Sequence, residues 1–175
     1  MQRPAHTFAI ALVLLLLPAA PALAQPALLE IVGAVEKPQA LSRADLQALT
    51  RRDYSDQRTI TQDGKEAQVA IRYQGVPLKE LLDRAGLKPD RREIRKAVVL
   101  LTAKDGYQAS FSWGELYNSA LGDGVIVVLK QDATELLEAD GLPALRSLQD
   151  ARSGPRHVRW LARIEVLLPA SAAGR

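Results

Sequence analysis

The stretch Tyr73-Gln-Gly-Val-Pro-Leu-Lys-Glu-Leu-Leu-Asp-Arg-Ala-Gly86 decides how the chain is read. It specifies a strand end, a tight turn and a short helix. Gly75 can take backbone angles closed to residues with a side chain. Val76 is pushed to extended geometry by the proline after it. Pro77 suits the start of a helix, where its missing N–H has no partner to lose. Leu78, Leu81 and Leu82 then share one helical face at i, i+3, i+4 spacing. Lys79, Glu80, Asp83 and Arg84 take the other face, and Gly86 is placed to end the helix. This is a packing unit, and on its own it names no function.

Upstream, Asp63-Gly64 marks a hairpin between Arg58–Gln62 and Glu66–Tyr73. In its second arm Ala67, Val69, Ile71 and Tyr73 alternate with Gln68, Ala70 and Arg72, the pattern of a strand covered on one face. Thr50 to Gln57 is polar and reads as a loop. Ser42 is placed to cap a short helix from Arg43 to Leu49 with Leu46 and Leu49 inward, and Leu28 to Val35 reads as a strand.

Downstream, Ala97–Ala103 has the length and apolarity of a buried strand. Asp105-Gly106 turns the chain into Tyr107–Phe111, and Ser112 to Glu115 has capping-box spacing. Val125–Leu129, Ala144–Leu148 and Val158–Leu167 read as further strands. In the last of these Val158, Trp160, Ala162, Ile164 and Val166 fall on one face, so Trp160 is expected in the core. Leu136 and Leu137 belong to an expected helical turn within Ala133–Asp140, and Gly122–Gly124 reads as a loop. Strands outnumber helices and the helices are short. The predicted class is α+β, mostly β, in one domain.

The chain opens with Arg3, an apolar run from Phe8 to Leu17, and Ala22-Leu23-Ala24. The run is too short to span a bilayer comfortably and the small-x-small triplet suits signal peptidase. The expectation is a signal peptide over residues 1–24, cleaved after Ala24, with the domain over 25–175, its core over 28–167 and a disordered tail over 168–175. The protein is then periplasmic or secreted, with no membrane span after cleavage.

Lys and Arg number 23 against 20 Asp and Glu, and the acids are interleaved with the bases. Aromatics make up 5%. That pattern does not describe a nucleic-acid binder. There is no cysteine, which removes disulfides, thiolate metal sites and cysteine nucleophiles. Beyond the leader His157 is the sole histidine, so a multi-histidine metal centre is excluded and no metal site is identifiable.

Polar chemistry concentrates between Arg146 and Arg163, where Arg146, Arg152, Arg156, His157, Arg159 and Arg163 stand against Asp150 and Glu165. Arginine engages phosphate or carboxylate oxygens two at a time. The segment reads either as an anion site or as a solvated strand face with its loop.

Four landmarks in order resemble the sulfite-oxidase-type molybdopterin-binding domain family. They are Tyr73-Gln-Gly-Val-Pro-Leu, Thr102–Phe111 (TAKDGYQASF), Gly141-Leu-Pro-Ala-Leu-Arg146, and His157-Val-Arg-Trp160 with Ile164-Glu-Val166. The resemblance implies a mixed α+β domain with a strongly bent β core and a molybdenum–pyranopterin cofactor. It also implies a thiolate ligand upstream of the Gly-Val-Pro-Leu motif, yet Arg51–Arg72 holds no cysteine here. A hard side chain does not replace a soft thiolate on molybdenum. What carries over is a pterin phosphate site on Arg146, Arg156, His157 and Arg159, with Tyr107 and the Gly75 turn lining the same cleft. Two functions follow. One is a non-catalytic binding module for a pterin, another anionic small molecule or a periplasmic protein partner. The alternative is a molybdopterin-dependent oxidoreductase, or a subunit of one, with molybdenum held without a cysteine. A third reading is an unrelated β-rich exported protein.

Overall fold

The computed structural model describes residues 26–88, 92–135, 138–152 and 154–169, apart from the side chains at positions 60–62. The expected leader, the last residues of the tail, and Leu136 with Leu137 lie outside them.

Nine strands form two sheets. They are β1 (Leu29–Gly33), β2 (Gln39–Leu41), β3 (Arg52–Gln62), β4 (Lys65–Pro77), β5 (Val98–Ala103), β6 (Gln108–Ser112), β7 (Val125–Gln131), β8 (Ala144–Ser147) and β9 (Leu161–Leu167). One sheet has the order β2-β1-β9-β5-β6, the other β3-β4-β7-β8. The β1–β9 pairing is parallel and the rest are antiparallel. Three short helices, α1 (Arg43–Ala48), α2 (Leu78–Ala85) and α3 (Trp113–Tyr117), join them. The mixed, mostly β α+β class is the one the sequence predicts.

The helices start where their caps place them. Ser42 and Asp45 form a reciprocal capping box on α1, and Ser112 and Glu115 form one on α3. Helix α2 begins directly after Pro77 and ends at Gly86, whose φ is 70°. Its Leu78, Leu81, Leu82 and Ala85 are all fully buried. Burying a leucine this way contributes about 2 kcal/mol, so the opening stretch of the sequence anchors the core. That core continues through Ile31, Leu101, Phe111, Ile126, Leu129, Leu145 and Ile164 as one cluster.

Three expectations are corrected. The polar segment Thr50–Gln57 is not a loop: from Arg52 it is strand β3, paired without a break from Arg52↔Gly75 to Gln62↔Lys65. Its polarity reflects an edge strand with a wet face, which local pattern does not distinguish from a loop. The final strand starts at Leu161, not Val158. The register slips between Thr102 and Ala103, so Ala162 bulges and Leu161 turns inward with Ile164 and Val166. Trp160, at φ 49°, therefore leaves the core; it is half-buried and its indole N–H donates to the Glu138 carbonyl. Residues Ala120–Gly124 form a 3-10 turn, as do Glu138–Asp140.

Strand β4 is covered only near its end. It pairs with β7 from Tyr73↔Gln131 onward. Ala67 is exposed and Val69 and Ile71 are half-buried. The outer part of the β3–β4 hairpin projects beyond the core as a ribbon.

Candidate functional site

All four residues of β8 are buried, because the strand is covered on both faces. That places Arg146 inside, at 7% exposure. Its guanidinium carbon lies 5.6 Å from the centre of the Tyr73 ring. Arg58, reaching in from β3, lies 5.9 Å from the same ring. Tyr73 is 1% exposed, and its hydroxyl has no hydrogen-bond partner among the described residues.

Arg146 makes no hydrogen bond and no ion pair among the described residues; its partner is the Tyr73 ring. The nearby Asp56 carboxylate is taken by Arg58 Nε at 2.8 Å. Burial pushes the Arg146 guanidinium down to about 10, with Arg58 and Arg159 adding to the effect. Burial, then Arg146, Arg58 and Arg159, push His157 down to about 3. His157 is therefore neutral at physiological pH, with one ring nitrogen able to donate and the other to accept. Tyr73 is raised, chiefly by burial, so its phenol keeps its proton and can donate.

A cleft of about 700 Å³ opens beside this group, lined by Arg58, Ser147, Asp150, Arg152 and Gly154 among others. Ser147 Oγ, nine-tenths buried, is a second polar atom without a partner among the described residues. Arg159 rests 4.5 Å over the Trp160 ring, and its Nη2 donates to the Asp140 carbonyl at 3.2 Å.

Of the residues the sequence singled out, Arg146, His157 and Arg159 come together. Arg156 does not join them. Its Nε and Nη2 donate to Asp150 and its Nη1 to Glu115 at 2.7 Å, while the guanidinium sits 4.3 Å over Phe111. The Asp150 hydrogen bonds raise its pKa. Tyr107 is exposed and donates its hydroxyl proton to the Pro155 carbonyl at 2.6 Å, tethering the Gly154-Pro155 turn. Gly75 lies within β4, in the middle of the sheet: a Cβ there would stand 2.5 Å from the Val127 carbonyl oxygen, at the β4–β7 register shift. It allows two strands to approach, which is a packing task.

Sequence reasoning missed Arg58, Tyr73 and Ser147. A signal for Arg58 existed. The Asp63-Gly64 turn fixes the register Arg58↔Val69, and Val69 belongs to the covered face, so a charged residue faces inward opposite it.

The donor set fits one part of a molybdenum–pterin group and not the other. Orphaned Tyr73 and Ser147 hydroxyls and an unpaired guanidinium suit an anionic, oxygen-rich group. The metal end lacks a counterpart: the chain has no cysteine, and no three His, Asp or Glu residues gather into a metal-holding group among the described residues.

Fold and site together define a mostly β domain with a buried cationic centre beside an open cleft. The family profile of the oxidoreductase molybdopterin binding domain matches residues 20–173, and the chain belongs to that family. Among solved structures, the sulfane dehydrogenase SoxCD from Paracoccus pantotrophus is similar at 22% identity and a TM-score of 0.59. The match covers 79% of this chain and 37% of that one. No curated protein matches the chain.

Proposed function

We propose that this chain is a non-catalytic binding module of the molybdopterin-binding family that holds the anionic end of a pterin, or another small oxyanion-bearing ligand. The observation that carries this reading is Arg146: a guanidinium at 7% exposure with no carboxylate of its own. A buried charge without a counter-charge costs several kcal/mol. Burial lowers the Arg146 pKa only to about 10, so the charge persists at neutral pH. A bound anion would supply the missing partner, accept from the Tyr73 hydroxyl and the His157 ring, and reach Ser147 at the cleft wall.

A redox role of the family type needs a metal ligand that this sequence does not contain. The alternative, an oxidoreductase whose molybdenum is held by the cofactor's own sulfurs, is an outcome of the test below. The apolar run Phe8–Leu17 followed by Ala22-Leu23-Ala24 supports work outside the cytoplasm, in the periplasm or beyond, where a protein partner could also use the cleft.

The test is elemental analysis for molybdenum together with pterin fluorescence, on protein purified from the periplasm of a host that makes the cofactor. Pterin without stoichiometric molybdenum is the expected result. Stoichiometric molybdenum overturns the non-catalytic reading.

A further inference from the structure

We propose that the outer edge of β3 is a self-association surface, on which two copies of this chain pair antiparallel about a two-fold axis at Gln57. The proposal rests on the strand edge and not on anion binding, although Asp56, Gln57, Arg58 and Thr59 also line one wall of the cleft. Strand β3 is the edge of its sheet, 11 residues long, without proline and with no register shift against β4. Edges of this length are blunted in most monomers by bulges, prolines or short strands.

The direction of the free hydrogen-bonding groups follows from the turn. Asp63 and Gly64 have φ of 52° and 73° and join Gln62 to Lys65. A two-residue turn of this kind makes its flanking residues a hydrogen-bonded pair. Bonded pairs recur every second residue, so the even-numbered residues of β3 bond to β4. The N–H and C=O groups of Asp53, Ser55, Gln57 and Thr59 point outward. Among the described residues no other strand or backbone bond takes them up. Ser55, Gln57 and Thr59 are exposed.

The sequence then selects the occupant. With the axis at Gln57, Asp56 of each copy stands opposite Arg58 of the other, so that the Asp56–Arg58 pair within each chain is joined to its counterpart across the ladder, with Ser55 opposite Thr59 and Gln57 opposite itself. Opposite charges directly across a ladder are favourable and like charges unfavourable. Moving the axis to Ser55 sets Arg52 against Arg58. Moving it to Thr59 leaves Asp56 and Arg58 opposite uncharged positions. The free edge of β4 offers no such match: an axis at Gln68 sets Glu66 against Ala70. That edge also closes at Arg72, whose backbone exchanges hydrogen bonds with Asp132 at 2.9 and 2.8 Å.

Sedimentation equilibrium of the purified chain tests this, together with amide exchange at two protein concentrations. A strand-edge interface is small, so the expected dimer is weak and forms from the micromolar range upward. Amides of Ser55, Gln57 and Thr59 should gain protection with concentration, while those of Tyr54, Asp56 and Arg58 stay protected throughout. Gln57→Pro removes an outward N–H that β4 does not use and should raise the dimer dissociation constant about thirtyfold, through the two hydrogen bonds lost at the axis. Asp56→Arg should weaken the dimer, and Asp56→Arg with Arg58→Asp should restore it. A chain that stays monomeric at millimolar concentration overturns the proposal. So does a dimer in which the Ser55, Gln57 and Thr59 amides exchange freely, a result that needs no variant to fold.

Discussion

Arg146 and Arg156 belong to one basic segment, and the fold treats them in opposite ways. Arg156 faces Asp150 and Glu115 and covers Phe111; its hydrogen-bonding nitrogens are spent within the protein. Arg146 is more deeply buried and has only the face of Tyr73. A cation satisfied by its own carboxylates is a fastener between elements. A cation left inside without one points to something brought in from outside. The number of arginines in a stretch therefore says little; what counts is how many lack an acid.

The comparison can be broken from the scaffold upward. The largest effect is expected at Gly75→Ala, where the new methyl carbon would meet the Val127 carbonyl at 2.5 Å. Overpacking against backbone should cost about 3 kcal/mol in denaturant unfolding and loosen the sheet beneath Tyr73. A wild-type midpoint would show that the strands can part there without loss.

Arg156→Met comes next. It leaves Asp150 and Glu115 without their cation and should lower stability by about 2 kcal/mol, since hydrogen bonds to charged groups are the costly ones to lose. Arg146→Met should do the reverse. Replacing an unpaired buried charge with an apolar chain of similar length should leave stability unchanged or raise it by about 1 kcal/mol in buffer without anions. Equal destabilisation by the two variants would erase the distinction.

The last effect concerns pH. His157 is held down to about 3 by burial first and then by its three arginine neighbours, against an unfolded value near 6.5. Between those values the unfolded chain binds the extra proton, so stability falls as pH drops through this window and is recovered as pH rises. His157→Gln should flatten that part of the acid-unfolding profile. An unchanged profile would mean that the ring is more solvated than its surroundings imply.

Much of this was legible in the residues. The capping boxes at Ser42 and Ser112, the Asp63-Gly64 hairpin and the leucine face of α2 rest on local chemistry, and local chemistry decided them. Strand β3 was not, because its first residues become a strand only through pairing with β4. Trp160 was misplaced because a bulge at Ala162 shifts the alternation, and bulges leave no composition signal. In the candidate site, charge density pointed to the segment from which the fold brings Arg146, His157 and Arg159 together. It could not separate Arg146 from Arg156, since their partners Tyr73 and Glu115 come from distant strands and helices. Arg58 and Tyr73 became visible only once the hairpin was packed against β7 and β8.

The most direct test is a titration with inorganic phosphate, following the thermal midpoint of the wild-type protein, Arg146→Met and Arg156→Met. A ligand that binds only the folded state stabilises it by about 2.7 kcal/mol at a hundred times its dissociation constant. A saturable rise is expected for the wild type and for Arg156→Met, measured from its lower starting point, and none for Arg146→Met. An equal response in wild type and Arg146→Met would contradict the assignment of the buried guanidinium as the anion's partner.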